Sequence, residues 1–198
     1  MRIAPGVVAR PVHPRAGNAF TRWLGRVWLG LMGWRIAGEL PDVPKAILVG
    51  APHTTNWDLP LALAMRLATG LDYSWMMKAE AFAGPTGGFF RRLGGVPVDR
   101  KAARDKIGQM ADWFASRDRA YLGITPEGTR SKVEEWKTGY LRIAEAAHVP
   151  VVIAGVDGRN RTLVFDRVWP TTGDIAADNA AIRDYVRANY SGWRAENG

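Results

Sequence analysis

Three histidines stand in this chain, and His53 is the one that directly follows an apolar run. It lies in Ala51-Pro52-His53-Thr54-Thr55-Asn56-Trp57-Asp58-Leu59-Pro60, with the Asp58 carboxylate five residues on. Five residues make about 500° of α-helix, so the two side chains cannot share a face of one regular helix and a turn must join them. With Asp58 at a helix N-terminus and Pro60 in the first turn, free amides and the helix dipole suit a carboxylate there. A carboxylate against one imidazole nitrogen fixes the tautomer and steadies the cation formed when the other nitrogen takes a proton, which is a general-base dyad. The same residues also fit a helix cap beside a turn histidine. His13, in a proline-rich stretch, and His148, in Ala-His-Val-Pro, read as structural.

The four serines, Ser74, Ser116, Ser131 and Ser191, lie outside any G-x-S-x-G elbow, and the chain has no cysteine. A covalent acyl carrier therefore lacks a residue, and a substrate hydroxyl is the natural target of the base. A second constellation, Thr125-Pro126-Glu127-Gly128-Thr129-Arg130-Ser131, also follows an apolar run. Its glycine lets backbone approach a ligand closely, and Arg130 can grip a phosphate through two parallel hydrogen bonds. Gly123 and Gly128 have the spacing of a phosphate loop, but Thr129 stands where that motif needs lysine, which excludes a nucleotide-hydrolysing P-loop. Lys78 and Arg100 end two further apolar runs. No H-E-x-x-H or cysteine set points to a metal.

The elements that must position these groups alternate along the chain. Strands are expected at 46–50, 73–77, 96–98, 120–124 and 150–156, with an edge strand at 162–169. Helices are expected at 58–69, 85–93, 101–117, 136–148 and 174–190. That order implies one α/β domain with a mostly parallel sheet flanked by helices, and sites in such sheets lie outside the carboxyl ends of the strands. His53, Lys78, Arg100 and Arg130 all fall at such ends. Residues 1–16 read as a loosely held, flexible arm, residues 17–35 as an amphipathic helix and 36–198 as the main domain. In the helix Phe20, Trp23, Leu24, Val27, Trp28, Leu31 and Trp34 share one face, opposite Arg22, Arg26 and Gly33, a pattern suited to a headgroup interface or to packing on the domain.

At 198 residues, with 47% hydrophobic side chains, the chain can bury one core. It has no run of about 18 apolar residues, so a membrane-spanning helix is not expected. A formal charge of +8 attracts phosphates, whether of nucleic acid, anionic lipid or a small substrate.

In combination these blocks resemble the glycerolipid acyltransferase superfamily, typified by lysophosphatidic-acid acyltransferases. His53 and Asp58 match its H-x-x-x-x-D block, Lys78 and Glu80 its K-x-E, and Gly95 to Arg100 its block ending in aspartate-arginine. Glu127-Gly128-Thr129-Arg130-Ser131 matches its E-G-T-R-S, and Val149-Pro150-Val151-Val152 its closing V-P-V-hydrophobic block. The resemblance implies a glycerol-3-phosphate-acyltransferase-like fold and transfer of a fatty acyl group from a coenzyme A or acyl-carrier-protein thioester to the hydroxyl of a lysophospholipid or related lipid. His53 would take the proton while Asp58 orients it. Lys78, Arg100 and Arg130 would hold phosphates, and Glu127, Gly128 and Thr129 would belong to that substrate pocket. It also implies no tightly bound cofactor, an anionic membrane surface as partner, and a cytoplasmic place on the inner face of the membrane. Two other readings stand beside it: a thioesterase or lipid hydrolase using the same base on water, and a basic nucleic-acid-binding module. The second lacks a recognised basic helix or RNA-binding signature, so nucleic acid is not expected as a partner.

Overall fold

The run Ala46-Ile47-Leu48-Val49 is apolar on both alternating faces, which suits only a strand covered on both sides. In the computed structural model, which describes residues 7–99 and 106–194, it lies at the middle of a seven-stranded sheet. The strands are β1 (Arg35–Gly38), β2 (Lys45–Ala51), β3 (Tyr73–Lys78), β4 (Gly95–Val98), β5 (Ala120–Ile124), β6 (Val151–Asp157) and β7 (Thr162–Trp169). Their spatial order is β1-β7-β6-β2-β5-β3-β4. All neighbouring pairs are parallel except β6 and β7. The mostly parallel α/β sheet expected from the sequence is therefore present. One expectation is corrected: 162–169 is not an edge strand, because β1 pairs with its outer side. β1 is four residues long and escapes a period-based reading.

The helices are α1 (Ala19–Leu31), α2 (Asp58–Thr69), α3 (Gly87–Leu93), α4 (Lys106–Ala115), α5 (Gly139–Ala147) and α6 (Ile175–Asn189), with a 3₁₀ turn at Ala79–Phe82. Ile47 and Val49 of β2 pack into one core with residues of α4, α5 and α6. Ala46 and Leu48 face the other way, into a core shared with α1 and α2. The strand's two-residue period thus feeds two helical layers. Helix α5 begins three residues later than the sequence suggests, since Trp136 is buried in the loop before it.

α1 starts at a capping box in which Asn18 Oδ1 accepts from the Thr21 amide and Thr21 Oγ1 accepts from the Asn18 amide. It packs antiparallel on α2. A Cβ at Gly25 would lie 2.4 Å from the Ala68 amide nitrogen, so only glycine permits this approach. Gly25 and Leu29 are the buried positions of α1, and the half-buried Arg22 lies against Gly70. The arginine-bearing side therefore faces the domain. Phe20, Trp23, Leu24, Trp28 and Leu31 face outward, while Trp34 is buried.

Residues 7–16, read as a flexible arm, run beside the end of α2, where the Ala9 and Ala16 amides donate to the carbonyls of Thr69 and Gly70. His13 is fully buried there, with Nδ1 accepting from the Arg10 amide at 2.8 Å and Nε2 2.9 Å from the Pro41 carbonyl. No helix among the described residues is long and apolar enough to cross a membrane.

Candidate active site

β2, β3, β4, β5 and β6 point the same way, so their carboxyl ends share one edge of the sheet. Val49 of β2 is level with Ile124 of β5. His53 and Glu127, four and three residues further along, therefore emerge side by side. The His53 amide donates to Glu127 Oε1 at 3.1 Å, tying the two motifs through one buried carboxyl.

Residues 54–57 form the expected turn, and α2 begins at Asp58. Asp58 Oδ2 lies 2.8 Å from His53 Nδ1 and accepts from the amides of Thr54 and Thr55 at 2.8 and 2.9 Å. Thr55 Oγ1 donates to Asp58 Oδ1 at 3.3 Å and accepts from the Trp57 amide. A carboxylate only accepts, so His53 Nδ1 carries the proton and Nε2 keeps its lone pair free. The His53 side chain is a quarter exposed and that of Asp58 about half as much, at 25% and 12%. The ring is thus held by a shielded partner yet reachable from outside.

Glu127 is different. Burial pushes its carboxyl above the usual glutamate range, opposed by hydrogen bonds from its own amide and that of His53 and by the nearby imidazole. Its second oxygen, Oε2, is buried with no hydrogen-bond partner among the described residues, so a proton there costs little. The folded carboxyl holds its proton more tightly than the unfolded chain does, so its own contribution to stability falls as pH rises through and above the ordinary glutamate range. Glu127→Gln removes this slope. Denaturant midpoints taken between about pH 4 and 7 should show the substituted chain gaining on the parent as pH rises, and parallel curves would contradict the assignment.

The remaining sequence candidates divide. Arg130 is exposed, and its Nη1 donates to Asn56 Oδ1, in the same turn as the dyad. The rest of its guanidinium is left for a ligand. Gly128, at φ 65°, sits under Lys137, whose amide donates to the Pro126 carbonyl. Thr129 Oγ1 accepts from the Ser131 amide at 3.4 Å. Lys78 ends β3 on the same edge, two strands from β2, exposed and without a bond to the dyad. Arg100 lies outside the described residues.

Three contributors carry no sequence signal. Asn56 anchors Arg130. Lys137 covers the Gly128 turn. The C-terminal segment braces the dyad's loop: Thr54 Oγ1 accepts from the Arg194 amide at 3.1 Å, and a Cβ on Gly192 would collide with Thr54. Trp193 packs between Trp34 and Trp57, with centroids at 5.0 and 6.2 Å. No group of three histidine, aspartate or glutamate side chains converges as metal ligands among the described residues.

A search of the curated proteins returns no match. Among solved structures, the chain is similar to the crystal structure of the 1-acyl-sn-glycerophosphate (LPA) acyltransferase PlsC from Thermotoga maritima. The TM-score is 0.61 at 17% identity, covering 85% of this chain and 76% of that one. At that identity the likeness speaks for the fold. The model of the Acyltransferase family matches residues 36–156, more than half of the chain, and the span holds the His53–Asp58 pair, Lys78 and the Glu127–Arg130 turn. The chain belongs to the Acyltransferase family and is an acyltransferase.

Proposed function

We propose that this acyltransferase works at a membrane surface, moving a fatty acyl group from a coenzyme A or carrier-protein thioester to a hydroxyl of a lysophospholipid or related lipid. The observation that carries the reading is the dyad: a histidine with a free Nε2, fixed by a carboxylate that also binds two backbone amides. Nε2 takes the proton of the acceptor hydroxyl as its oxygen attacks the thioester carbonyl. The tetrahedral oxyanion collapses, the carbon–sulfur bond breaks, and the imidazolium returns the proton to the departing thiolate. Asp58 stabilises the cation throughout. Arg130, with Lys78, meets the phosphate of the acceptor.

The outer face of α1 supports the surface. Phe20 is 65% and Leu31 82% exposed, with Trp23, Leu24 and Trp28 between them. Burying side chains of this size is worth roughly 1.5–3 kcal/mol each. A few of them equal the attachment given by a single acyl chain, on the order of 10⁴ M⁻¹. Because α1 runs antiparallel to α2, its Leu31 end lies toward the N-terminus of α2. Trp57 and Leu59 are exposed there, at 58% and 55%. An acceptor leaving the lipid layer at that end meets the dyad first. The net positive charge favours an anionic layer, and the inner face of the cytoplasmic membrane is such a layer.

The test is one incubation. Given anionic phospholipid vesicles containing lysophospholipid and an acyl thioester, the protein is expected to sediment with the vesicles and to convert the lysolipid into its two-chain ester, read by mass spectrometry. Free fatty acid as the sole product would instead establish a hydrolase.

A further inference from the structure

On the far side of the dyad from Lys78, past the end of β6, lies a cleft of about 210 Å³ with Lys132, Arg159 and Arg187 in its walls. Among the described residues none of these three is paired with a carboxylate. Arg187 is held in the wall by donating to the Val133 carbonyl. Asp157 also lines the cleft, but its oxygens accept from the Asn160 amide at 3.1 Å and the Asn160 side chain at 2.7 Å. The last turn of α6 adds the negative end of a helix dipole, on the order of half a charge. Three cations outweigh both, so the cleft attracts an anion of more than one charge.

Its position relates it to the chemistry. Lys132 comes two residues after Arg130. Ser191 lies in the wall, where its Oγ accepts from the Arg159 amide at 3.3 Å. The next residues are those that brace Thr54 and stack on Trp57. Along the strand order β6-β2-β5-β3, Lys78 ends β3 on one side of the dyad's strand and this cleft lies past β6 on the other, while Arg130 is tied to the dyad's own turn through Asn56. A reaction joining two phosphate-bearing substrates must keep their like charges apart while their uncharged ends meet, and two separated subsites do that.

We propose that the β6 cleft binds the phosphorylated nucleotide end of a coenzyme A thioester, which leaves Arg130 and Lys78 to the acceptor. This rests on the acyl-transfer reading above. The uncharged pantetheine arm would cross the Ser191–Gly192 segment to bring its thioester to His53.

The test measures binding alone, so it does not depend on turnover. In the His53→Ala chain, titration calorimetry with coenzyme A and with pantetheine, which lacks the nucleotide, gives a preference ratio. Coenzyme A is expected to bind more tightly, and the added substitutions Lys132→Ala and Arg159→Ala should cut the ratio roughly tenfold. Neither side chain makes a hydrogen bond or ion pair among the described residues, so the fold persists. Raising salt should narrow the ratio in the parent more than in the substituted chain. An unchanged ratio overturns the proposal, as does weaker glycerol 3-phosphate or acyl-carrier-protein binding with the ratio intact. Failure to make an ester in the vesicle assay would instead remove the acyl-transfer reading.

Discussion

Replacing His53 by alanine is expected to lower kcat for acyl transfer by roughly 10²–10⁴-fold with the fold in place. The magnitude is that of a positioned general base, and the geometry says why nothing substitutes for it. The other groups bound into this turn and its partner loop include threonine hydroxyls, an amide and a guanidinium, which are not bases near neutral pH. The Asp58 carboxylate has its oxygens held by two amides and a hydroxyl, and the Glu127 carboxyl is buried against the His53 amide. The fold should survive because the ring's one hydrogen bond among the described residues is to Asp58, while the His53 amide keeps its bond to Glu127 in the alanine chain. Steady-state kinetics beside a denaturant midpoint separate the two outcomes. A wild-type rate in a folded His53→Ala chain would dispose of the base.

Asp58→Asn should approach the same loss by a different route. Asp58 Oδ2 accepts from two backbone amides and faces the imidazole at once, and Oδ1 takes the Thr55 hydroxyl. Asparagine has one acceptor oxygen. With that oxygen in the place of Oδ2 the amides and the ring keep their acceptor, but the imidazolium loses its counter-charge. With the nitrogen there instead, the amides of Thr54 and Thr55 lose their acceptor, His53 Nδ1 must accept, and the proton moves to Nε2. The nitrogen that should accept a proton then already holds one. Residues acting as a unit do not lose rate additively, so the chain carrying both substitutions should be hardly slower than His53→Ala alone. Multiplicative losses would show that Asp58 acts apart from the imidazole. A stability loss of about 1–3 kcal/mol is expected as well if an amide of the turn is left unpaired.

How much of this was legible beforehand varies by residue. Spacing left the His53–Asp58 pair open, since the same residues fit a helix cap beside a turn histidine; the motif resemblance favoured a dyad, and the structure brings the two side chains together at 2.8 Å. The role of Glu127 was half legible. Its place in the pocket was expected, but its grip on the His53 amide comes from the pairing of β2 with β5, between residues 74 positions apart. The facing of α1 was open, since its period marks an apolar stripe without saying what covers it. Gly25 decided the matter by letting the opposite side seat on α2.

Local pattern by itself determined the alternation of strands and helices, the central strand, the turn that precedes Asp58 and the two motifs, because period, capping and punctuation act over a few residues. The tertiary structure alone decided the order of the strands, the burial of Glu127, the bond from Arg130 to Asn56, the brace from the C-terminal segment and the cationic cleft beyond β6. Each of these needs partners brought together from distant parts of the chain, and no short-range signal encodes which strand ends will be neighbours.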